Sequence, residues 1–142
     1  MKIIISFLIT IGLVYADFIR DDNLEIVIDT SRNIMWQDIN ITEKKIWKNA
    51  NLHCETLVFA TFDDWRLPFY KELQSIVDIN RYYPAIYDEF HYTNMETNYS
   101  YNTLNTSGVG KQLAFTVEFT DGASYTTSKF LPNFYRCMRT IK

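Results

Sequence analysis

The sequence is poor in the residues that build repeats and metal centres. Among 142 residues there are four glycines, three prolines, two cysteines and two histidines. Scarce glycine without an internal repeat argues against a collagen-like stalk. Only 22% of the residues are charged and the net charge is −3, which excludes intrinsic disorder and a basic surface for nucleic acid. What is present, 47% hydrophobic and 16% aromatic residues, predicts one domain built from large rings.

The N-terminus has the features of a secretory signal peptide. Lys2 precedes an apolar run from Ile3 to Val14, and Tyr15 and Ala16 complete a small-residue cleavage pattern. The run is shorter than the about 20 residues that a membrane-spanning helix needs. We therefore predict a signal peptide over residues 1–16 and one domain over 17–142, in the periplasm, outside the cell or on its surface. An uncleaved anchor or a buried N-terminal strand is the alternative.

The two cysteines fit an exported protein, since disulfides persist in oxidising compartments. Cys54 and Cys137 are predicted to form one disulfide. In the chain-entropy model, closing a loop of this length stabilises the fold by about 4.5 kcal/mol. The alternative is a reactive cysteine or a redox pair, but there is no C-x-x-C spacing, and His53 would point about 100° away from Cys54 on a helix.

The first part of the chain predicts a hairpin followed by a helix. Residues 24–28 are rich in β-branched side chains and are bounded by turn residues, and residues 34–37 are the predicted partner strand. Thr42 is the predicted N-cap of an amphipathic helix of about 15 residues. The buried face predicted from the helical spacing consists of Trp47, Ala50, Cys54 and Leu57.

The rest of the chain predicts a short helix, a long irregular stretch and further strands. Pro68 suits the first position of the second helix, because it has no amide hydrogen to satisfy there. Residues 82–110 follow no period, which predicts a long loop. Residues 113–119 alternate, which predicts a half-buried strand with an inward apolar face. The residues of this strand that are predicted to face inward are Leu113, Phe115, Val117 and Phe119. A turn is predicted at Asp121 and Gly122, and further strands are predicted at 124–127 and 134–138.

Several of these segments together resemble a known family. The most specific piece is Asp64-Trp65-Arg66-Leu67-Pro68 followed by Glu72-Leu73, and the second is Tyr135-Arg136-Cys137-Met138-Arg139. With Ile34-Met35-Trp36-Gln37-Asp38 and Phe119-Thr120-Asp121-Gly122, the pattern covers nearly the whole of residues 17–142. It resembles the domain of unknown function 1566, also called the Lcl C-terminal domain family.

The resemblance implies an α+β fold of C-type-lectin-like architecture, with two helices packed on a small antiparallel sheet and a long irregular loop region. It also implies a relation in fold to formylglycine-generating-enzyme-like domains. The Cys54–Cys137 bridge suits this fold, because it would tie the first helix to the last strand. The chain departs from the family at Phe69, where a Thr or Asn cap is typical, and at residues 91–94, where a Tyr-Trp-Ser-Ser type motif is expected.

The residues Asp64, Trp65, Arg66, Pro68 and Glu72 are predicted to form a structural motif at a helix entry. In this role Asp64 would bond loop amides, Trp65 would enter the core and Arg66 would bridge a carboxylate bidentately. The alternative is a pair of carboxylates beside Trp65 that hydrolyses a sugar. The sequence offers no set of nucleophile, base and orienting group, so we predict no catalytic residue and no enzyme.

Residues 82–101, the tyrosine-rich segment, are the predicted binding region. Tyrosine offers a flat apolar ring with a polar tip, which suits a sugar ring or a protein partner. The predicted ligand-binding residues are Tyr92, Asn94, Tyr99, Tyr101 and Asn102. The chain is thus predicted to be an exported binding module for a glycan or a cell-envelope protein. Two alternatives are rings that only cover a small core, and a non-catalytic structural subunit of an envelope assembly.

Other ligands receive less support. No metal site, cofactor or nucleic-acid partner is predicted, although carboxylate pairs leave calcium open. The family that the chain resembles includes a member that binds sulfated glycans, which requires a basic surface that this acidic chain offers only locally. Asn40 and Asn98 lie in sequons of the form acidic-x-Asn-x-Ser/Thr, and they are candidate glycosylation sites.

Overall fold

The computed structural model describes residues 17–96 and 101–142. The predicted signal peptide over residues 1–16 lies outside the described residues, as do Asn98 and Tyr99. In the described part of the chain, no helix is long and apolar enough to cross a membrane. The described chain forms an α+β domain with two helices and two antiparallel sheets, which confirms the predicted class and the number of helices.

The first sheet joins strands from both ends of the described chain. Its members are β1 (Phe18–Asp21), β2 (Ile26–Asp29), β3 (Ile34–Gln37) and β7 (Met138–Thr140), in the order β1-β2-β3-β7. Buried Asp29 stabilises the turn between β2 and β3, accepting hydrogen bonds from the Ser31 hydroxyl at 2.7 Å and the Arg32 amide at 3.0 Å. The predicted hairpin is confirmed, with its first strand starting at Ile26 and not at Leu24. No sequence pattern predicted β1.

The first helix, α1 (Trp47–Glu55), is shorter than predicted and begins later. Lys45 and Asn133 exchange two backbone hydrogen bonds of 2.9 and 3.0 Å, as in an antiparallel bridge. This pairing keeps the chain before the helix extended, so the predicted N-cap at Thr42 is wrong. The buried residues of α1 are Ala50 and Cys54, as the helical spacing predicted. The other two predicted residues differ, since Trp47 is only half-buried and Leu57 lies half-buried beyond the end of the helix.

The second helix, α2 (Tyr70–Gln74), begins two residues after its predicted start at Pro68. The Pro68 carbonyl accepts a hydrogen bond of 2.8 Å from the Leu104 amide, which holds this part of the chain extended. Phe69 is the N-cap and keeps a ψ of 158°. The predicted start is therefore wrong, because backbone pairing with a distant segment outweighs the local preference of proline for a first helical turn.

A second sheet occupies part of the stretch predicted to be irregular. Its members are β4 (Tyr101–Ser107), β5 (Leu113–Val117) and β6 (Ser124–Ser128), in the order β4-β5-β6, and a short 3-10 helix covers Val109–Lys111. The predictions of a single sheet and of one loop over residues 82–110 are therefore wrong. Polar residues conceal β4 in the sequence, yet Asn102 and Thr103 are buried, and the Thr103 hydroxyl donates to the Phe115 carbonyl at 2.8 Å.

The strand β5 does not follow its predicted amphipathic pattern. Leu113 and Phe115 are only half-buried, whereas Ala114 and Thr116 between them are fully buried. Both faces of the strand are covered, since Phe115 also packs against Tyr70 of α2 with ring centroids 5.5 Å apart. The alternation thus predicted the strand correctly. Its predicted inward face is correct at Val117 and Phe119, which are buried, and wrong at Leu113 and Phe115.

The turn predicted at Asp121 and Gly122 is confirmed by the hairpin of β5 and β6. Gly122 has a φ of 80°, and a Cβ atom there would lie 2.6 Å from Cγ1 of Val77. Only glycine fits this combination of backbone conformation and space.

The disulfide between Cys54 and Cys137 is confirmed, with Cα atoms 5.4 Å apart. It ties α1 to the residue that precedes β7, in a hydrophobic cluster that also holds Trp65 and Tyr135. The strand predicted from residue 134 begins only at Met138. A separate cluster around Trp36, Phe119 and Phe134 packs between the two sheets and α2.

Replacing both cysteines with alanine should lower the free energy of unfolding by about 2 to 5 kcal/mol, because the bridge restricts the unfolded chain. The sequence separation of 83 makes the restricted loop long. Guanidinium denaturation of the oxidised wild type and of the Cys54→Ala/Cys137→Ala variant measures the difference. The reduced wild type is the control and should approach the variant. An unchanged denaturation midpoint would contradict a stabilising role.

Candidate functional site

A buried group of charges contacts the tyrosine-rich segment. It consists of Asp38, Arg20 and Arg136, and we call it the Asp38 cluster. Asp38 follows β3 and is fully buried, Arg20 lies in β1, and Arg136 precedes β7 and is 3% exposed. Each arginine donates a hydrogen bond from Nη1 to the Asp38 carboxylate. Charges removed from water are tolerated only when they are paired, so this cluster fixes three chain segments relative to one another.

The Asp38 cluster also holds the backbone at Tyr92. The Asp38 carboxylate accepts hydrogen bonds from the amides of His91 at 2.8 Å and Tyr92 at 3.3 Å. Nη2 of Arg136 donates to the Tyr92 carbonyl, and the Arg20 guanidinium lies 5.8 Å from the centre of the Tyr92 ring. The ring is 38% exposed. The Tyr92 ring is therefore partly exposed to solvent, while hydrogen bonds to Asp38 and Arg136 fix the amide and the carbonyl of its backbone.

The predicted ligand-binding residue Tyr101 lies in the interior. It is 4% exposed, and its ring packs 5.0 Å from that of Phe119 and 5.6 Å from that of Phe134. Its hydroxyl accepts a hydrogen bond of 2.8 Å from the Asn94 amide. Asn102 is equally enclosed at 1% exposure. A ligand could reach neither Tyr101 nor Asn102 without displacing the core, because both are buried in β4 and do not lie in the loop that the sequence predicted.

The remaining predicted ligand-binding residues lie nearer the surface. Tyr92, Asn94 and Tyr101 meet at a cavity beside Arg136 with a volume of about 10 Å³. Such a volume suits one water molecule and is too small for a sugar or a peptide side chain. The Asn94 side-chain amide donates to the Ile41 carbonyl. Ligand binding by Tyr92 and Asn94 stays a prediction, and Tyr99 lies outside the described residues.

Among the described residues of the tyrosine-rich segment, the most exposed rings are those of Tyr82 and Tyr83. They are 76% and 58% exposed, and their ring centroids are 6.3 Å apart with planes tilted by 41°. The Tyr83 amide donates to the Thr120 carbonyl and the Ala85 amide to the Phe119 carbonyl, both at 2.8 Å. The ring pair therefore stands on a backbone that is bonded to the chain following β5.

Other rings of the same segment turn inward. Tyr87 packs 4.8 Å from Phe18 of β1, and Phe90 packs 5.6 Å from Phe18 and 6.3 Å from Trp36. Phe90 is 5% exposed. The described part of the segment thus covers the core with some rings and presents others to solvent. Binding by the outward rings stays a prediction.

The motif predicted to be structural has the geometry of a folding element. Arg66 donates two hydrogen bonds of 2.8 Å to the carboxylate of Glu72, a bidentate pair. Trp65 is 2% exposed, and its Nε1 donates to the carbonyls of Phe59 and Phe62 at 3.1 Å each. These contacts match the structural role predicted for Trp65, Arg66 and Glu72.

Two side chains replace the missing Thr or Asn cap at the start of α2. Glu72 accepts a hydrogen bond from the Phe69 amide at 2.7 Å, and Asn105 of β4 accepts one from the Tyr70 amide at 2.6 Å. First-turn amides have no partner within their own helix, so these acceptors stabilise its start. A side chain 35 residues away supplies one of them.

Asp64, predicted to cap the helix or to bond loop amides, has Arg139 as its main partner. Its carboxylate accepts a hydrogen bond of 3.1 Å from Nη2 of Arg139 and a second one from Nε. The hydrogen bond from Arg139 is the main cause that lowers the pKa of Asp64, against the opposing effect of desolvation. The ion pair joins the motif to β7.

The histidines and cysteines are occupied by other contacts. His53 packs 5.2 Å from the Tyr135 ring, and desolvation by burial lowers its pKa. Nδ1 of His91 lies 3.7 Å from the carboxylate of Asp22 in an exposed turn. Within residues 17–96 and 101–142, no three His, Cys, Asp or Glu side chains are grouped to hold a metal ion. The absence of catalytic chemistry stays a prediction.

The candidate glycosylation site Asn40 is exposed. The acidic residue of its sequon is Asp38, whose side chain is fully buried in the folded chain. An enzyme that requires this carboxylate would have to act before folding. Glycosylation at Asn40 stays a prediction that intact-mass measurement decides, and Asn98 lies outside the described residues.

A cleft that no sequence pattern predicted lies beside Trp47. Its walls come from the start of α1, the 3-10 helix and the chain after β6, including Lys111, Lys129 and Phe130. No local pattern joins these segments. The only sequence signal was Trp47 at the first position of the predicted buried stripe, where its ring is in fact half-buried.

Comparison with known proteins gives one match. A family model described as the Lcl C-terminal domain matches residues 25–139. No curated protein and no solved structure matches the chain. The matched range includes both helices, the second sheet, Asp38 and Arg136, whereas Arg20 and the rest of β1 lie before it.

The substitution Asp38→Asn should lower the free energy of unfolding by about 3 to 5 kcal/mol, because it leaves the buried Arg136 without a carboxylate and Arg20 with only the exposed Asp22. Asp22→Asn is the matched control. Asp22 also pairs with Arg20, but its side chain is 76% exposed, so its loss should cost less than about 1 kcal/mol. Chemical denaturation of both variants measures the difference. Equal effects would show that the Asp38 cluster does not carry the stability assigned to it.

The ion pair of Asp64 with Arg139 predicts a dependence of stability on pH. A carboxyl whose pKa is lower in the folded chain stabilises the fold above its unfolded pKa, and this contribution is lost as pH falls through the folded pKa. The pKa of Asp64 is lowered in this way. Asp64→Asn should therefore destabilise the protein at neutral pH and be neutral in strong acid. Denaturant unfolding at a series of pH values measures the gap, and a gap independent of pH would contradict the prediction.

Proposed function

The chain belongs to the Lcl C-terminal domain family, and from that premise we propose that it is an exported binding module. Its ligand is a glycan or a protein of the cell envelope, and it binds to exposed rings of the tyrosine-rich segment. Export is supported by the signal peptide predicted over residues 1–16 and by the Cys54–Cys137 disulfide, since such bonds persist in oxidising compartments.

The observation that carries this proposal is the exposed pair Tyr82 and Tyr83. Two adjacent rings that are 76% and 58% exposed leave apolar surface in contact with water, although each keeps a hydroxyl for hydrogen bonding. Rings in the same segment that serve packing, such as Tyr87 and Phe90, contact β1 instead. The contrast between the outward and the inward rings supports a role for the outward rings in contacting a ligand.

The fixed backbone under the rings also supports recognition. Tyr83 is held by its hydrogen bond to Thr120, and Tyr92 by its hydrogen bonds with Asp38 and Arg136. A tyrosine on a fixed backbone has few rotatable bonds left to order, so binding costs little conformational entropy. The surface is therefore preorganised to contact a sugar ring or a protein side chain.

A non-catalytic structural subunit of an envelope assembly is the second candidate function. The observation that favours it is the strand β6, which in the described part of the chain pairs with β5 alone. Its outward residues Tyr125 and Thr126 are exposed. An edge strand with open backbone groups can pair with a strand of another chain, which would build an assembly without a separate ligand.

We also propose that the fold is related to that of C-type lectins. The support for this relation is the disulfide from α1 to the chain before β7, together with a first sheet that contains β1 and β7 from opposite ends of the described chain. Architecture of this kind hosts many functions, so it adds nothing to the choice of ligand.

The triple variant Tyr82→Ala/Tyr83→Ala/Tyr92→Ala should lose ligand binding while keeping its melting temperature, because these rings are exposed and contribute little to the core. Glycan-array screening of the wild type identifies the ligand, and calorimetry with the best glycan measures an affinity loss of at least about tenfold. Tyr125→Ala is the matched control, since Tyr125 is 49% exposed on β6.

Two results would contradict the proposal. One is unchanged affinity in the triple variant, and the other is an equal loss in Tyr125→Ala. If no glycan on the array binds, the glycan half of the proposal is wrong. The same variants are then assayed against isolated cell-envelope proteins, where wild-type binding that depends on Tyr125 and not on the triple substitution supports the structural-subunit function.

A further inference from the structure

A cleft with a volume of about 320 Å³ lies beside Trp47, apart from the tyrosine-rich segment. Ligand sites commonly have volumes of about 300 to 1,000 Å³. Its walls include Trp47 and Lys48 of α1, Lys111 of the 3-10 helix, and Lys129 and Phe130 after β6. Aromatic rings and lysines therefore share one concave surface.

Hydrogen bonds from the backbone and the indole hold the walls of this cleft together. The Trp47 amide donates to the Lys129 carbonyl at 3.1 Å, and the Lys129 amide donates to the Gln112 carbonyl at 2.9 Å. Nε1 of Trp47 donates to the Thr103 carbonyl of β4 at 2.8 Å, which fixes the orientation of the ring. The cleft is thus part of the folded framework and not a gap between mobile side chains.

The positive charges of the cleft are not neutralised within the chain. Among the described residues, no carboxylate forms an ion pair with Lys48, Lys111 or Lys129, whereas Lys45 in the extended chain before α1 pairs with Glu43. Nζ of Lys129 lies 3.9 Å from the centre of the Trp47 ring. Desolvation and the charge of Lys111 lower the pKa of Lys129. In a chain with a net charge of −3, this cluster favours an anionic ligand.

The chemistry of the lining favours a peptide over a glycan. Phe130 is 72% exposed at the cleft, and its neighbour Leu131 is 59% exposed. Gln112 is the neutral polar side chain of the lining, and no carboxylate is present there to accept hydrogen bonds from sugar hydroxyls. An apolar side chain flanked by carboxylates would complement both the rings and the lysines.

We propose that this cleft binds an acidic peptide segment of a partner protein, with an apolar side chain against Trp47 and Phe130 and carboxylates on Lys48, Lys111 and Lys129. The site shares no residue with the exposed tyrosines of the proposed function. Each site can therefore be present or absent without the other, and the two proposals fail independently.

The test uses a fluorescent peptide that carries one phenylalanine flanked by aspartate and glutamate, and a matched peptide with asparagine and glutamine in their place. Fluorescence anisotropy with the purified protein should show the acidic peptide binding at least about tenfold more tightly, with an affinity that falls as salt rises. Lys111→Gln/Lys129→Gln should remove this preference. Phe130→Ala should weaken both peptides, and it leaves the Trp47 hydrogen bonds in place.

The matched control is Lys71→Gln/Lys142→Gln, which removes the same charge at exposed positions outside the cleft. An equal loss in this control would overturn the proposal, because it would show attraction to net charge alone. Equal binding of the acidic and neutral peptides would overturn it as well. So would a sulfated oligosaccharide that binds in a manner dependent on Lys111 and Lys129 while the acidic peptide does not.

Discussion

The buried carboxylate of Asp38 is the contact on which the arrangement of the other elements depends. It pairs with Arg20 of β1 and Arg136 before β7, and it accepts hydrogen bonds from the amides of His91 and Tyr92. Burying these charges is unfavourable unless every one is paired, so the sheet edges and the tyrosine-rich segment must assemble together. One side chain thus couples the fold to the surface proposed to bind a ligand.

This coupling explains how one segment serves two purposes. Tyr87 and Phe90 pack on β1 and cover the core, and this places the following residues at the Asp38 cluster. Tyr92 is then held with part of its ring in solvent, while Tyr83 is held near the chain after β5. The small cavity beside Arg136 suggests no ligand pocket, so recognition would occur on the exposed rings themselves.

Local patterns predicted what local contacts determine. The β2–β3 hairpin, the turn at Gly122 and the burial of Ala50 and Cys54 in α1 all follow from neighbouring residues. The structural role predicted for Arg66 agrees with its bidentate pair. Contacts between distant segments determine the features that the sequence did not predict. The backbone pairing of Lys45 with Asn133 makes α1 begin later than predicted, and the burial of β4 encloses Tyr101 in the core. The lysine cleft was equally hidden, because its walls come from three separate segments.

Amide hydrogen exchange of the native protein tests most directly whether the Asp38 cluster holds the tyrosine-rich segment. Exchange rates are measured by NMR for His91 and Tyr92 and compared with those of β3 amides such as Trp36. Because both amides donate to a buried carboxylate, we predict that they exchange slowly, within about tenfold of the β3 amides. Exchange at the rate of an unprotected loop would contradict the central role assigned to Asp38.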